Sequence, residues 1–152
     1  MTHTTHVTNI QLTFDCADPH AQGRFWAAAL GWVAERNEPF VRSILEQGLA
    51  TEQDVVEVDG QLTWRTVEAI RHPEHDAIRE LGGAARLLFI LVPEGKTVKN
   101  RVHPDLNVGK QNIDTEVKRL TALGARELYR VAEPGALHTT MADPEGNEFC
   151  VQ

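Results

Sequence analysis

Apolar and polar residues alternate along residues 6–16 of the chain. From Ile10 onward every second residue is apolar and those between are polar, the apolar set being Ile10, Leu12, Phe14 and Cys16 and the polar set Gln11, Thr13 and Asp15. A period of two is typical of a strand with one buried face. We therefore predict a strand here, followed by a helix that begins at Asp18-Pro19 and ends at Gly31.

The middle of the chain carries further helix, hairpin and strand signals. A second helix is predicted over residues 39–47, and the Asp59-Gly60 pair between two β-rich runs predicts a hairpin. The polar residues 72–83 are predicted to form a loop with one helical turn. An apolar strand is predicted over residues 86–92, and the polar residues 93–100 are the predicted junction between two halves.

The second half repeats the order of the first. Its predicted elements are a strand at 101–108, a helix at 112–123 with Ile113, Val117, Leu120 and Leu123 on its apolar stripe, and strands at 127–132, 137–142 and 148–152. The first strand recurs 92 positions later, as from Gln11 to His103, and both of its faces keep their character. The sequence therefore predicts an α+β fold of two βαβββ modules, whose polar sheet faces line a shared cleft.

Length and charge limit the class of protein. The modules are predicted to cover about residues 6–93 and 101–152 of one domain that spans all 152 residues. The net charge of −7 disfavours nucleic acid and anionic membrane as partners, since both attract basic surfaces. The chain has no apolar run of membrane-spanning length, no signal-peptide pattern at its polar start, and two cysteines without metal-motif spacing. We therefore expect a soluble, cytoplasmic protein.

Three segments of the sequence resemble the vicinal-oxygen-chelate superfamily, which includes glyoxalases and bleomycin-resistance proteins. The resemblance lies in the opening strand and helix, LTFDCADPHAQGRFWAAALGW, and in the final turn and strand, ADPEGNEFCV. The junction between the halves, RLLFILVPEGKTVKNRVHPDLNV, resembles the actinobacterial glyoxalase-like branch. The resemblance implies the two-module fold already predicted, a small-molecule ligand in the cleft and, as one option, a homodimer.

The resemblance also implies where a divalent metal would bind. Its ligands would come from the first and last strands of each half, at Gln11, Ile90, His103 and Cys150. Ile90 offers no donor atom, Gln11 is a weak neutral ligand, and Cys150 would be a soft thiolate among hard ligands. Because an open catalytic site needs about three competent protein ligands, we predict no metal and no cofactor, with Gln11 and His103 as the ligands if a divalent metal does bind.

The predicted ligand-binding residues lie on the polar strand faces and near the final turn. They are Gln11, Thr13, His103, Asp105, Glu148 and Cys150. His103 is the predicted catalytic residue, acting as a general base that Asp105 or Thr13 orients. His138 is predicted to reach either the cleft or solvent, His20 is expected on the surface, and the acidic residues outside the cleft are expected in solvent.

Three functions remain open at this point. The leading hypothesis is a small-molecule binding protein, or an enzyme without the usual metal, whose acidic cleft favours a neutral or cationic ligand. The alternatives are a metal-dependent lyase, isomerase or dioxygenase of the glyoxalase type, and a non-enzymatic interaction module. A shared fold does not decide among them.

Overall fold

The computed structural model of the protein describes residues 9–152, and the chain divides into two compact units between Pro93 and Glu94. The helices and strands of the first unit are, in chain order, β1 (Leu12–Cys16), α1 (Pro19–Leu30), β2 (Val33–Ala34), α2 (Glu38–Glu46), β3 (Val55–Val58), β4 (Gln61–Trp64), β5 (Val67–Arg71), α3 (His75–Glu80) and β6 (Arg86–Leu91). Those of the second unit are β7 (Asp105–Leu106), α4 (Ile113–Ala122), β8 (Arg126–Glu133), β9 (Ala136–Ala142) and β10 (Glu148–Val151), with a 3-10 turn over Lys110–Asn112 before α4.

Each unit contains a sheet with the same strand order. The sheets run β1-β6-β5-β2 and β7-β10-β9-β8. In each sheet the first strand lies parallel to the last, and the other neighbours are antiparallel. The predicted α+β fold of two βαβββ modules is therefore confirmed. The first unit inserts α2, the hairpin β3–β4 and α3 into its module, and the cleft between the modules stays a prediction.

Helix α1 begins and ends as the sequence predicts. The Asp18 side chain accepts hydrogen bonds from the backbone N–H groups of His20 and Ala21, and Pro19 occupies the first helical position. Gly31 ends the helix in the left-handed conformation, with φ of 68°. Local sequence signals thus set both ends of α1.

The core of the first unit lies between α1 and its sheet. The Trp26 ring from the helix and the Phe89 ring from β6 both lie 5.4 Å from the Phe14 ring of β1. Gly23 allows the helix to approach the sheet closely, because a Cβ atom at this position would lie 2.6 Å from Cγ of Glu68. The Glu68 carboxylate is therefore buried beneath α1, with 3% of the residue exposed.

The core of the second unit is made in the same way by α4. Ile113 and Leu120 on this helix are fully buried, as are Met141, Phe149 and Val151 on β9 and β10. Side chains alternate along strands, so the residues next to Met141 on β9 and next to Phe149 and Val151 on β10 point to the face opposite α4. That face holds the candidate site.

The structure also corrects several element bounds. The predicted strand at 6–16 is ordered as a strand from Leu12, with residues 6–8 outside the described part, and the predicted strand at 101–108 is reduced to Asp105–Leu106. Strand β2 was not predicted, because two residues carry no periodicity. Leu123 follows the end of α4 and is 38% exposed, so its place on the apolar stripe was wrong. Within residues 9–152, no helix has both the length and the apolar character needed to cross a membrane.

Candidate functional site

A row of four side chains crosses the sheet of the second unit on the face opposite α4. Asp105 lies opposite Cys150, Cys150 opposite Thr140, and Thr140 opposite Tyr129. Side chains at directly paired positions of a sheet lie on the same face and contact one another. We call these four residues the polar row.

A bulge in β8 brings Tyr129 into the polar row. Glu127 pairs with Met141 and Tyr129 pairs with Thr140, so Leu128 is an extra residue between them. Without the bulge, Leu128 would lie opposite Thr140 and the tyrosine would turn to the helix side. The sequence carries no signal for this shift, which is why Tyr129 was not predicted.

The polar row borders a cavity of about 240 Å³. The cavity is lined by Lys99, His103, Asp105, Tyr129, His138, Thr140, Cys150 and Gln152. All of these residues belong to the second unit. The cavity is smaller than the usual pocket for a drug-sized ligand, about 300–1,000 Å³, so it suits a smaller molecule.

His103 and Asp105 form a pair at the edge of the cavity. The Nδ1 atom of His103 lies 3.1 Å from Oδ1 of Asp105, and both side chains are about 40% exposed. A carboxylate at Nδ1 holds the imidazole plane and directs the second ring nitrogen, Nε2, away from Asp105. The role of Asp105 as the residue that orients His103 stays a prediction.

Cys150 lies in the middle of the polar row and is 8% exposed. Its Sγ atom lies 3.6 Å from the Thr140 hydroxyl oxygen. Burial raises the pKa of the Cys150 thiol most, the Thr140 hydrogen bond opposes this shift, and the Asp105 carboxylate raises the pKa further. The thiol is therefore protonated near neutral pH, which makes it a poor nucleophile in this state.

Glu148 does not line this cavity, although it was predicted to bind the ligand. Its carboxylate accepts hydrogen bonds from the Lys96 ammonium at 3.1 Å and from the Asn100 backbone N–H at 3.0 Å. Burial alone would raise the pKa of Glu148, but these two hydrogen bonds bring it below its ordinary value. Glu148 therefore fixes the segment that precedes β7.

Gln11 and Thr13 belong to the first unit. The Gln11 amide oxygen accepts a hydrogen bond from the Arg86 guanidinium, which also binds the Glu35 carboxylate. Thr13 lies on β1 opposite Leu88. Among the predicted ligand-binding residues, the structure thus brings together His103, Asp105 and Cys150.

The residues at the predicted metal positions are not a matched set. Thr13 and Asp105 are equivalent positions, 92 residues apart, on the first strand of each unit. Thr13 pairs with Leu88 and Asp105 pairs with Cys150, so the first-unit equivalent of Cys150 is Leu88 and not the predicted Ile90. Leu88 has no donor atom either, and the Gln11 amide is already bound to Arg86. Among the described residues of the first unit, the positions that match His103 and Cys150 therefore supply an amide already bound to Arg86 and a side chain without a donor.

The second unit does hold donors that suit a metal. One ligand atom each from His103, Asp105 and Cys150 lies within 4.8 Å of the other two. Imidazole nitrogen, carboxylate oxygen and thiolate sulfur are all donors that zinc accepts. A divalent metal can therefore be accommodated here by chemistry that the sequence-based count, which left out Asp105, did not include.

The sequence of residues 11–152 matches the family model described as glyoxalase-like domain, and the chain belongs to that family. The predicted membership of the vicinal-oxygen-chelate superfamily is confirmed by this match together with the structural comparisons. No curated protein sequence matches the chain.

Solved structures share the fold at low sequence identity. A glyoxalase/bleomycin resistance protein/dioxygenase family enzyme from Burkholderia phytofirmans PsJN is 12% identical, with a TM-score of 0.58 over 93% of this chain and 94% of that chain. The fosfomycin resistance protein FosX from Mesorhizobium loti is 12% identical, with a TM-score of 0.55 over 100% of this chain and 92% of that chain.

A mutant FosX from Listeria monocytogenes, solved with Mn(II) and 1S,2S-dihydroxypropylphosphonic acid, is 9% identical. Its TM-score is 0.57 over 98% of this chain and 90% of that chain. At these identities the likeness concerns the fold alone.

Proposed function

We propose that the protein binds a small organic molecule in the cavity beside the polar row, without the standard metal site of the superfamily. The observation that carries this proposal is the alignment of Asp105, Cys150, Thr140 and Tyr129 along a cavity of about 240 Å³. A few placed polar groups in a concave site are the feature that fixes the orientation of a small-molecule ligand. The superfamily's small-molecule ligands, including the phosphonic acid in the Listeria structure, support the same class of ligand.

The charges that line the cavity favour a neutral ligand, because the Asp105 carboxylate and the Lys99 ammonium balance each other. The Asp105 carboxylate is paired with His103, and the Glu148 carboxylate is paired with Lys96. Lys99 lines the cavity and supplies a positive charge. The sequence predicts a neutral or cationic ligand, and of these two we propose the neutral one.

His103 is proposed as the catalytic residue if the ligand is turned over. Asp105 holds Nδ1, which leaves Nε2 to accept a proton from a ligand in the cavity. Tyr129 and Thr140 then serve as hydrogen-bond donors to an oxygen of the ligand. A cytoplasmic location and a homodimer stay predictions from the sequence.

The proposal is tested by a thermal-shift screen of a metabolite and antibiotic library against metal-free protein. A ligand at one hundred times its Kd should stabilise the fold by about 2.7 kcal/mol. Thr140→Val removes a hydroxyl that lines the cavity and should weaken the binding of a hit about tenfold, the loss of roughly one hydrogen bond. Tyr129→Phe should also weaken the binding of a hit.

Thr139→Val is the matched control. Thr139 is the neighbouring residue on β9, is 1% exposed, and points to the helix side, where its Oγ1 atom has no hydrogen-bond partner within the described part of the chain. This variant should keep full ligand affinity and gain about 1 kcal/mol of stability, because an unpaired buried hydroxyl is removed. Equal affinities of the two threonine variants, or no hit in the screen, would overturn the proposal.

A further inference from the structure

Three side chains of different chemistry converge where β7 meets β10. His103 and Asp105 approach within 3.1 Å of each other, and one ligand atom each of His103, Asp105 and Cys150 lies within 4.8 Å of the other two. Here the backbone N–H of Cys150 donates to the Pro104 carbonyl at 3.0 Å, which holds β10 against the segment that carries both other donors.

We propose that His103, Asp105 and Cys150 bind one zinc-type divalent metal ion entirely within the second unit. Zinc is bound by nitrogen, sulfur and carboxylate oxygen, usually in four-coordinate sites, whereas magnesium and calcium require oxygen ligands. Three protein donors leave one position for water or an organic ligand. This site differs from the standard superfamily arrangement, because it uses a thiolate and the carboxylate two residues after the histidine, and it takes no donor from the first unit.

Metal binding changes the state of Cys150. The S–H bond breaks as the sulfur–metal bond forms, and the proton leaves to the solvent buffer. The Thr140 hydroxyl, 3.6 Å from the sulfur, then donates a hydrogen bond to the bound thiolate. Loading also occupies His103, so the metal-bound and metal-free proteins are alternative states of one site, and the metal should suppress any proton transfer by this histidine.

The inference does not depend on the organic ligand, so its test uses the metal alone. Untagged, full-length protein is freed of metal by chelation, kept reduced with a phosphine, and titrated with Co²⁺ in the place of Zn²⁺. We expect one Co²⁺ per chain, an intense near-ultraviolet band from thiolate-to-cobalt charge transfer, and loss of that band when Zn²⁺ is added. The band reports that sulfur is a ligand. Stoichiometry alone cannot show this, because the chain contains seven histidines that could bind Co²⁺ instead.

Matched variants locate the site. Cys150→Ser should abolish the band, while Cys16→Ser should retain it, because Cys16 lies in the other unit and its thiol is bonded to the Ile90 carbonyl. Asp105→Asn should weaken Co²⁺ binding by at least about tenfold, while Asp15→Asn on β1 should leave it unchanged. Circular dichroism and thermal unfolding of each variant show whether it is folded. If Cys150→Ser does not fold, the comparison of Asp105→Asn with Asp15→Asn tests the location of the metal site.

The outcomes are distinct. No charge-transfer band in wild-type protein under excess Co²⁺ would overturn the metal site. So would a band that survives Cys150→Ser, or an unchanged Co²⁺ affinity of Asp105→Asn, in folded protein. A hit in the metal-free thermal-shift screen would leave the proposed organic ligand standing in that case. A thiolate band without any such hit would support the metal site alone.

Discussion

The two sheets have the same strand order but present different side chains at equivalent positions. In the first unit the row that matches the polar row consists of Thr13, Leu88, Ala69 and Glu35. In the second unit it consists of Asp105, Cys150, Thr140 and Tyr129. One backbone arrangement therefore carries two apolar residues, Leu88 and Ala69, at the centre of the row in one copy and an unbroken set of donors and acceptors in the other. The fold places the side chains, and the local sequence decides which unit has chemistry.

The first unit buries its charges on the opposite side of its sheet. The Glu68 carboxylate lies beneath α1, 2.7 Å from Nδ1 of His20 and 3.1 Å from two nitrogens of the Arg36 guanidinium. Burial alone would lower the pKa of Arg36, but hydrogen bonds to Asp59 and Glu68 raise it, so the guanidinium stays charged. His20 was expected on the surface and Glu68 in solvent; both are instead part of this cluster. It holds α1, β5 and the segment after β2 together.

The largest expected effect comes from breaking that cluster. Glu68→Gln removes the buried carboxylate that binds Arg36 and leaves this guanidinium only the exposed Asp59 carboxylate, so the free energy of unfolding should fall by about 3–5 kcal/mol. Glu35→Gln removes the partner of Arg86 at a much more exposed position and should cost less than about 1 kcal/mol. Urea unfolding of both variants measures the difference. Similar losses of unfolding free energy in the two variants would mean that the buried Glu68 carboxylate does not stabilise the first unit more than the exposed Glu35 carboxylate.

The next effect concerns apolar packing in the second unit. Leu120 lies on the buried face of α4 and is 0% exposed, whereas Leu123 follows the helix and is 38% exposed. Leu120→Ala should cost about 2–5 kcal/mol, and Leu123→Ala no more than about 0.5 kcal/mol. Urea unfolding measures both losses. A larger loss for Leu123→Ala than for Leu120→Ala would mean that the helix is rotated about its axis.

The smallest effect concerns a surface ion pair of the second unit. The hydrogen bond from Arg119 is the main cause that lowers the pKa of Glu116 from its ordinary value of 4.5. A carboxylate with a lowered pKa stabilises the fold above that ordinary value, and the contribution is lost as the pH falls through the folded pKa. Glu116→Gln should therefore cost about 0.2–0.5 kcal/mol at pH 7, and this difference should vanish well below pH 4.5. A difference that persists in acid would assign the loss to packing.

Sequence patterns predicted the features that depend on neighbouring residues. The Asp18 cap, the Gly31 end of α1 and the Asp59-Gly60 hairpin are local, because a few residues determine their backbone conformation. The alternation in residues 6–16 and its recurrence at His103 predicted the duplicated strand, and with it two of the residues that flank the candidate cavity.

Features that depend on strand pairing could not be predicted in the same way. The approach of Asp105 to Cys150 follows from the parallel register of β7 and β10, which the sequence does not contain. Tyr129 enters the polar row through the bulge at Leu128, and Glu68 is buried because Gly23 lies above it. Each of these contacts joins residues that are distant in the chain, so no pattern within one segment reveals it.

The central claim is that the second unit carries the ligand site. The most direct test is a heteronuclear NMR titration of ¹⁵N-labelled, metal-free protein with the compound that gives the largest thermal shift. We predict that the largest amide shifts fall around His103–Asp105, in β8 and β9 near Tyr129 and Thr140, and in β10 at Cys150. Largest shifts in β1, β5 or β6 of the first unit, with the amides of the polar row unchanged, would contradict the claim.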